Sequence, residues 1–309
     1  MADIEGDILS RLPVKSLMRF NRDTNEFFSS SISDSDVILP PVILHKPFLS
    51  NTFYTYIVGS CHGLVCVGSS PSCYLWNPAT KEYMYIALPI KDHLSTRFYY
   101  FGFSFVAELN DYVIVGIICR SYDKVIVYKR SSNSWVTKTT SKLQYDSIDM
   151  TSNTMVKGSF NWIACKKRIG QLILSYNARN EDLEEIEFPD SLWRIKHITK
   201  LNDSLAVIAY RWNDLHLHYD YAIWVMNEYG VKESWTKKFI IVGIFGFKRV
   251  FGYQENVEGE FILLTQSNNN PPELIKYNPR NQEIRTSSTV ASSNWIGTTH
   301  VYVESLVPV

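Results

Sequence analysis

Four residues with metal-binding side chains lie close together in the first third of the chain: Cys61, His62, Cys66 and Cys73. Structural zinc sites use such side chains, but their cysteines normally come in pairs two residues apart. Here Cys61 and Cys66 are five residues apart, so on a straight strand their side chains face opposite sides. A metal site would need a bend at Gly63. The spacing favours buried thiols, and we predict neither a metal nor a cofactor.

Other patterns that could support chemistry are equally weak. His216 and His218 share one strand face by alternation, but no third ligand is near in sequence, which favours an exposed strand or loop. The pair Glu184 and Glu185 lies in the acidic run 181–187, which we predict to be a solvated turn and not a glycosidase cleft. The chain has no Gly-x-Ser-x-Gly nucleophile elbow, P-loop or Gly-rich dinucleotide loop. We predict a protein that is not an enzyme. The alternative is an enzyme built on the β-propeller fold that the repeats below predict, with a carboxylate or metal cluster lining the central channel of the propeller.

The composition limits the classes of partner. The chain has 309 residues, of which 45% are hydrophobic, and its 31 Lys and Arg balance its 31 Asp and Glu. Binding to nucleic acid or to a membrane surface usually needs a basic surplus, so we predict neither. The first residues lack the basic and apolar regions of a signal peptide, and the apolar runs are too short to span a bilayer. The five cysteines are sparse and odd in number, as expected of free thiols in a reducing compartment. We therefore predict a protein of the cytoplasm or nucleus.

A repeat of about 50 residues organises most of the chain. Each unit has an apolar strand with an aromatic residue, a turn rich in Asn, Pro, Gly or Ser, and a second strand. Another apolar strand pair precedes each unit. The aligned aromatic residues are spaced by 52, 48, 48 and 53 residues: Trp76, Tyr128, Tyr176, Trp224 and Tyr277. Three or four strands per period is the content of a kelch-like β-propeller blade.

Packing such blades in a ring buries both faces of each sheet, and ring closure protects the edges. We therefore predict a mainly β, propeller-like repeat domain with five periodic blades. A sixth blade would form if the strand at 299–303 joins an early strand at 41–45. The alternatives are an irregular β-sandwich or two stacked β domains. Four tryptophans are predicted to pack between blades: Trp76, Trp135, Trp224 and Trp235.

Residues 1–30 have a different pattern, which we interpret as two short helices. Pro13 ends the first helical pattern and is well placed in the first turn of the second helix. Two helices of this length bury little by themselves and need a partner. We predict a helical segment at residues 1–32 and the β-repeat domain at 33–309. The two apolar faces would be Ile4, Ile8, Leu9 and Leu12, and then Val14, Leu17, Met18 and Phe20.

Several separate stretches resemble a single plant family. The stretch DILSRLPVKSLMRF at 7–20 resembles the core of a plant F-box. CHGLVC at 61–66, LWNPAT at 75–80, IWVMNEYGVKESWT at 223–236 and VYVESL at 301–306 resemble landmarks of the type-1 F-box-associated domain. The branch that the chain resembles includes the S-locus F-box proteins, which act in pollen self-incompatibility.

The resemblance implies a function in protein degradation. F-box proteins are substrate-recognition subunits of SCF-type cullin-RING ubiquitin ligases. The F-box binds a Skp-type adaptor and through it a cullin, while the β-repeat domain binds a target, here by resemblance an S-locus ribonuclease (S-RNase). The docking residues would be an apolar set on the two short helices: Leu9, Leu12, Pro13, Val14, Leu17 and Phe20.

The resemblance leaves one alternative and an unassigned target site. The F-box is shortened at its start, and Asp23 stands where the family has an apolar residue. The alternative is therefore a degenerate relative that binds a protein without recruiting the ligase. Target contacts are expected in long polar loops. The candidate loops are 92–97, 144–149, 212–219 and 267–272.

Overall fold

The protein is described here from a computed structural model. Within the described residues the chain forms 24 strands in six four-stranded antiparallel sheets, and two single turns of 3-10 helix at Ala107–Leu109 and Lys232–Ser234. No helix in this part of the chain is long and apolar enough to cross a membrane. The described residues are 15–21, 26–31, 42–48, 55–69, 72–89, 98–119, 124–140, 145–190, 192–214, 218–241, 247–254, 260–265, 273–289 and 299–309.

The strands are short and follow one another with few residues between them. Their bounds are β1 (Lys15–Asn21), β2 (Glu26–Ser31), β3 (Val42–Leu44), β4 (Thr55–Cys61), β5 (Leu64–Ser69), β6 (Ser72–Trp76), β7 (Tyr83–Ala87), β8 (Phe98–Val106), β9 (Asp111–Cys119), β10 (Lys124–Lys129), β11 (Ser134–Thr139), β12 (Ser147–Val156), β13 (Ser159–Lys166), β14 (Gly170–Asn177), β15 (Asp182–Glu187), β16 (Arg194–Leu201), β17 (Ser204–Asn213), β18 (His218–Met226), β19 (Trp235–Ile241), β20 (Phe247–Gln254), β21 (Glu260–Thr265), β22 (Glu273–Asn278), β23 (Glu283–Thr289) and β24 (Thr299–Val303).

The six sheets form the blades of a closed ring. Five blades use consecutive strands: β4–β7 (blade 2), β8–β11 (blade 3), β12–β15 (blade 4), β16–β19 (blade 5) and β20–β23 (blade 6). Blade 1 has the order β24-β1-β2-β3, so both ends of the chain build it. The first strand of each blade, with β24 in this position in blade 1, contacts the first strands of the two neighbouring blades. The predicted propeller, including the sixth blade from the two ends, is confirmed.

The helical prediction is wrong for residues 15–21 and 26–31, which form strands of blade 1. Leu17 pairs with Ser30 of β2 on one side and with Val301 of β24 on the other. A short apolar run fits either a helix or a strand period, and here pairing with the far end of the chain decides for the strand. Both strands therefore belong to the same sheet as β3, across the predicted boundary between residues 32 and 33.

The core lies between neighbouring blades. Alternate residues of each strand face the blade before and the blade after, and among the described side chains apolar clusters fill five of these interfaces. The five aligned aromatic residues all lie in the third strand of a blade and are at most 8% exposed. Trp76, Trp224 and Trp235 are buried as predicted. Trp135 is half-buried, and its indole N–H donates to the carbonyl of Ala87 in the preceding blade at 2.8 Å.

An asparagine at the end of the third strand explains why the turns of the repeat look alike. In three blades its side-chain oxygen accepts a hydrogen bond from the backbone N–H two residues later. This contact satisfies a turn N–H that has no strand partner. The distance is 2.9 Å in each blade: Asn77 to Ala79, Asn177 to Arg179 and Asn278 to Arg280.

The last residues, 304–309, cross from blade 1 onto blade 2, and we call them the C-terminal clasp. The Asn77 amide donates to the carbonyls of Ser305 at 3.0 Å and of Val307 at 2.8 Å. The Ser305 hydroxyl donates to the carbonyl of His62 at 2.5 Å. The clasp therefore ties the closing blade to the next one.

The residues considered as metal ligands serve this local structure. His62 and Gly63, with φ of 50° and 79°, form the tight turn between β4 and β5, a conformation typical of type I′ hairpins. Cys66 and Cys73 are buried free thiols between blades 2 and 3. No group of three or more His, Cys, Asp or Glu able to hold a metal occurs among the described residues. The acidic run 181–187 is mostly the outer strand β15 and not a turn.

Candidate target-binding surface

The ring has two different faces. The turns after the first strands lie side by side. Gly158, in the turn after the first strand of blade 4, packs against Glu108 in the corresponding turn of blade 3. Asp203, in the corresponding turn of blade 5, has its pKa lowered mainly by the hydrogen bond and charge of Lys200 and also by the charge of Lys157 in blade 4. The first strands therefore run in the same direction. We call the side where they end the turn face, and the side where they begin the loop face.

The strand order places Lys15 and the four candidate loops at opposite faces of the ring. Lys15, the first residue of β1, pairs with Val303, the last residue of β24, so the chain joins the ring at the turn face. The four candidate loops predicted from the sequence all connect strand ends at the loop face. They join β7 to β8, β11 to β12, β17 to β18, and β21 to β22. Loops 92–97 and 267–272 lie outside the described residues.

The hairpin of β17 and β18 carries an exposed row of aromatic rings at the loop face. These strands have 10 and 9 residues, against 6 and 5 for the corresponding β5 and β6. Register pairs Tyr210 with Tyr221 and Trp212 with Tyr219, so all four side chains lie on one side of the hairpin. We call these four residues the aromatic hairpin.

Exposure of the aromatic hairpin rises towards its tip. Tyr221 is buried next to the core between blades 5 and 6, and Tyr210 is half-buried. Trp212 and Tyr219 are each 49% exposed. The Trp212 and Tyr219 rings meet edge to face with centroids 5.1 Å apart, and Tyr210 and Tyr219 do so at 5.4 Å. The rings therefore support one another and leave a large aromatic surface open to solvent.

The other side of the hairpin is polar and fixes its shape. The Arg211 Nε lies 3.4 Å from Asp220 Oδ2 across the strand pair, and the Asn213 amide donates to the same carboxylate at 3.0 Å. The Arg211 guanidinium also lies 4.9 Å from the ring centre of Trp193. Lys237 Nζ lies 4.8 Å from the same ring centre. Two cations therefore face one buried indole, an attractive arrangement for its π system.

Burial also changes the chemistry of the hairpin base. It raises the pKa of the Tyr221 hydroxyl, and the neighbouring Tyr210 and Tyr219 hydroxyls raise it further. The Tyr221 hydroxyl is therefore neutral at physiological pH and can act as a hydrogen-bonding group. The arrangement suits binding of a partner surface more than acid or base catalysis.

The sequence identified loop 212–219 but missed the residues around it. Trp193, Arg194 and Lys237 lie on other strands or connections of blade 5, and no local motif marks them. His216 and His218 were considered as possible metal ligands in the sequence. His216 lies outside the described residues, and the backbone of His218 pairs with that of Asn213 in the hairpin. Of loop 144–149, residues 145–149 lead into and begin β12.

The predicted adaptor-binding residues divide into two groups. Leu17 and Phe20 lie in β1, paired with β2. The other four lie outside the described residues: Leu9, Leu12, Pro13 and Val14.

The fold and the similarity to a known protein family define the protein class. The chain is a six-bladed β-propeller closed by its two ends. The family described as "F-box associated beta propeller domain" matches residues 17–309. The chain therefore belongs to this F-box-associated family. The family boundary at residue 17 agrees with β1 as part of the propeller.

Two curated proteins and one solved structure illustrate the relationship. The F-box/kelch-repeat protein At3g23880 of Arabidopsis thaliana is 26% identical over 293 residues, covering 79% of each chain. The F-box protein At3g07870 of the same plant is 27% identical over 310 residues, covering 77% of this chain and 72% of that protein. The crystal structure of TolB from Acinetobacter baumannii aligns over 97% of this chain and 69% of its own, with a TM-score of 0.56. Its identity of 11% means that this likeness concerns the fold alone.

Proposed function

We propose that this protein is a substrate-recognition subunit of an SCF-type cullin-RING ubiquitin ligase that acts by binding and not by catalysis. Its family membership carries the proposal. The chain belongs to the F-box-associated family, and the two Arabidopsis relatives described above are named F-box proteins. The target would bind at the loop face. Its expected compartment is the cytoplasm or nucleus.

The strand order supports a two-sided arrangement. The chain joins the ring at the turn face, through Lys15, while the aromatic hairpin stands at the loop face. An adaptor held by the N-terminal segment and a target held by the loop face would therefore not compete for the same surface. Simultaneous binding is what a substrate-recognition subunit needs.

The strand assignment narrows the proposed docking residues. Leu17 and Phe20 belong to β1, whose backbone pairs with both β2 and β24, so they are not available on a docking helix without opening the blade. We therefore assign adaptor docking by this chain to the apolar residues before Lys15. These are Leu9, Leu12, Pro13 and Val14.

A pull-down separates docking from folding. The full chain, a Leu9→Asp/Leu12→Asp variant and a variant lacking residues 1–14 are each mixed with a purified plant Skp adaptor and cullin. The full chain is expected to retain both proteins, and the two altered chains to lose them. Ile169→Asp, at an exposed apolar position in a turn of blade 4, is the matched control for an added charge.

Each outcome has a definite meaning. Equal circular dichroism spectra and melting temperatures would show that the propeller is intact in all four proteins. Adaptor binding by the full chain and by Ile169→Asp alone supports the proposal. No adaptor bound by the folded full chain favours the alternative, a degenerate relative that binds a protein without recruiting the ligase.

The identity of the target is a separate question. An S-RNase and a role in self-incompatibility are carried by the resemblance to S-locus F-box proteins alone. Calorimetric titration of the full chain with an S-RNase tests this. Saturable binding that is lost in Trp212→Ala supports that target at the loop face, and absence of binding removes it.

A further inference from the structure

The aromatic hairpin is the projecting part of blade 5 and exposes two large rings. Trp212 and Tyr219 lie beyond the core that holds Tyr221, and each is about half exposed. Exposing two aromatic rings side by side forgoes the burial free energy that drives such residues inside. Trp, Tyr and Arg are also the residues that dominate the free energy of protein–protein binding.

The charge around the hairpin is unlike that of the whole chain. The chain as a whole is neutral, with 31 basic and 31 acidic residues. At the loop-face end of blade 5, residues 192–197, 210–221 and 237–241 contain five Lys or Arg but two Asp and no Glu. All five basic residues are exposed: Arg194, Lys196, Arg211, Lys237 and Lys238.

One of these basic residues lies beside the aromatic rings. Arg194 pairs with Tyr210 across β16 and β17 and so lies on the aromatic side of the sheet. Asp220, one of the two carboxylates, is engaged by Arg211 and Asn213. Arg211 and Asp220 therefore offset each other, and the other four basic residues outnumber Asp214. The exposed charge at this end of the blade is positive, and an acidic partner would be attracted to it.

From this juxtaposition we infer that the aromatic hairpin binds an acidic segment of the target protein. An apolar or aromatic side chain of that segment packs on Trp212 and Tyr219, and its flanking Asp or Glu side chains pair with Arg194. The inference rests on the proposed function, since it names the chemistry of the target that the propeller holds.

A protein segment fits the hairpin better than a single-stranded nucleic acid does. Bases stack on open ring faces, whereas Trp212 and Tyr219 meet edge to face and support each other. Asp214 lies within the hairpin, where it would repel phosphates. Carboxylates spaced along a peptide avoid this position more easily than a continuous phosphate backbone does.

The test uses a displayed library of random peptides about twelve residues long, a length that spans an extended docking segment. The full chain is immobilised at pH 7, and bound peptides are sequenced and resynthesised with a fluorescent label. The expected peptides are net acidic and contain at least one aromatic or large apolar residue. Their affinity is expected to fall when salt is raised from about 50 to about 500 mM, because exposed charge pairs are screened.

Matched variants locate the binding site. Trp212→Ala/Tyr219→Ala is expected to weaken the selected peptides at least about 10-fold, the effect of removing a binding hot spot. Arg194→Glu is expected to do the same and to reduce the salt dependence. The control Tyr83→Ala/Tyr85→Ala removes rings that are 46% and 56% exposed on blade 2, and it should leave affinity unchanged.

Several results would overturn the inference. These are selection of neutral or basic peptides, no selection at all, or acidic peptides that bind the Trp212→Ala/Tyr219→Ala variant as tightly as the parent. Tighter binding of a labelled single-stranded RNA homopolymer at the hairpin, or a dimer of this chain that the same variant dissolves, would assign the surface to another occupant. Adaptor binding in the pull-down is independent of these readouts, so the two proposals fail separately.

Discussion

Replacing Asn77 with alanine removes two of the hydrogen bonds that tie the C-terminal clasp to blade 2. The buried amide of Asn77 donates to the carbonyls of Ser305 and Val307 at 3.0 and 2.8 Å. Its oxygen accepts from the backbone N–H of Ala79 at 2.9 Å and, more weakly, of Thr80 at 3.4 Å. The side chain therefore serves both the local turn and a segment more than two hundred residues away.

The expected loss follows from these contacts. Each hydrogen bond contributes about 0.5–1.5 kcal/mol net, and a buried carbonyl left without a donor costs about 1–3 kcal/mol. Asn77→Ala should therefore lower the free energy of unfolding by about 3–5 kcal/mol. Asn177 has the same position in blade 4 but makes only the two turn contacts, to Arg179 and Asn180, both at 2.9 Å. Asn177→Ala should cost about 1–2 kcal/mol.

The measurement is equilibrium urea unfolding followed by tryptophan fluorescence. The difference of about 2–3 kcal/mol between the two variants is assigned to the clasp. In a chain that ends after Val303, the clasp is absent, and the two variants should lower the free energy of unfolding by the same amount. Equal costs in the full chain would refute the conclusion that Asn77 ties the clasp to blade 2.

Two further perturbations test the clasp and an ion pair. Gly63→Ala should lower the melting temperature more than Gly230→Ala. Both glycines have positive φ, of 79° and 85°, but a Cβ on Gly63 would collide with Ser305 Oγ, while a Cβ on Gly230 would meet nothing within 4 Å. Equal decreases would show that the clasp yields freely. Burial alone would raise the pKa of the Glu185 carboxyl. Hydrogen bonds from Lys166 and Tyr145, with the charge of Lys166, outweigh the effect of burial and hold this pKa below its usual value. The stability that this carboxylate contributes is then complete above about pH 4.3, its unfolded pKa, and is lost as the pH falls through the lower folded value. The advantage of the parent over Glu185→Gln in urea unfolding should therefore shrink between about pH 5 and pH 3, and an advantage independent of pH would contradict it.

The sequence predicted the repeat because its signals are local. The aromatic positions from Trp76 to Tyr277 recur at nearly constant spacing, and each lies in the third strand of a blade. Asparagines such as Asn77 and Asn177 mark the turn that follows, since the side chain bonds to the backbone two residues on. Strand alternation and turn chemistry are properties of short windows, so a single chain displays them.

The sequence misassigned residues 15–21 because their structure depends on a distant partner. Leu17, Met18 and Phe20 fit a helix face as well as a strand, and the pairing of β1 with β24 joins positions almost the length of the chain apart. A period within seven residues contains no information about that pairing. The same applies to His62, which resembled a possible metal ligand and instead forms a turn covered by Ser305.

For the candidate site, the sequence by itself determined the composition of loop 212–219, the overall charge balance and the blade period. The tertiary structure decided that β17 and β18 project beyond the core, that Arg194 and Lys237 join Trp212 at one end of blade 5, and that this end faces away from Lys15. The physical reason is that a blade brings together residues from four strands, whereas sequence patterns report on neighbours within a few residues. Ring closure then gives every strand a direction and so assigns each loop to one of two faces.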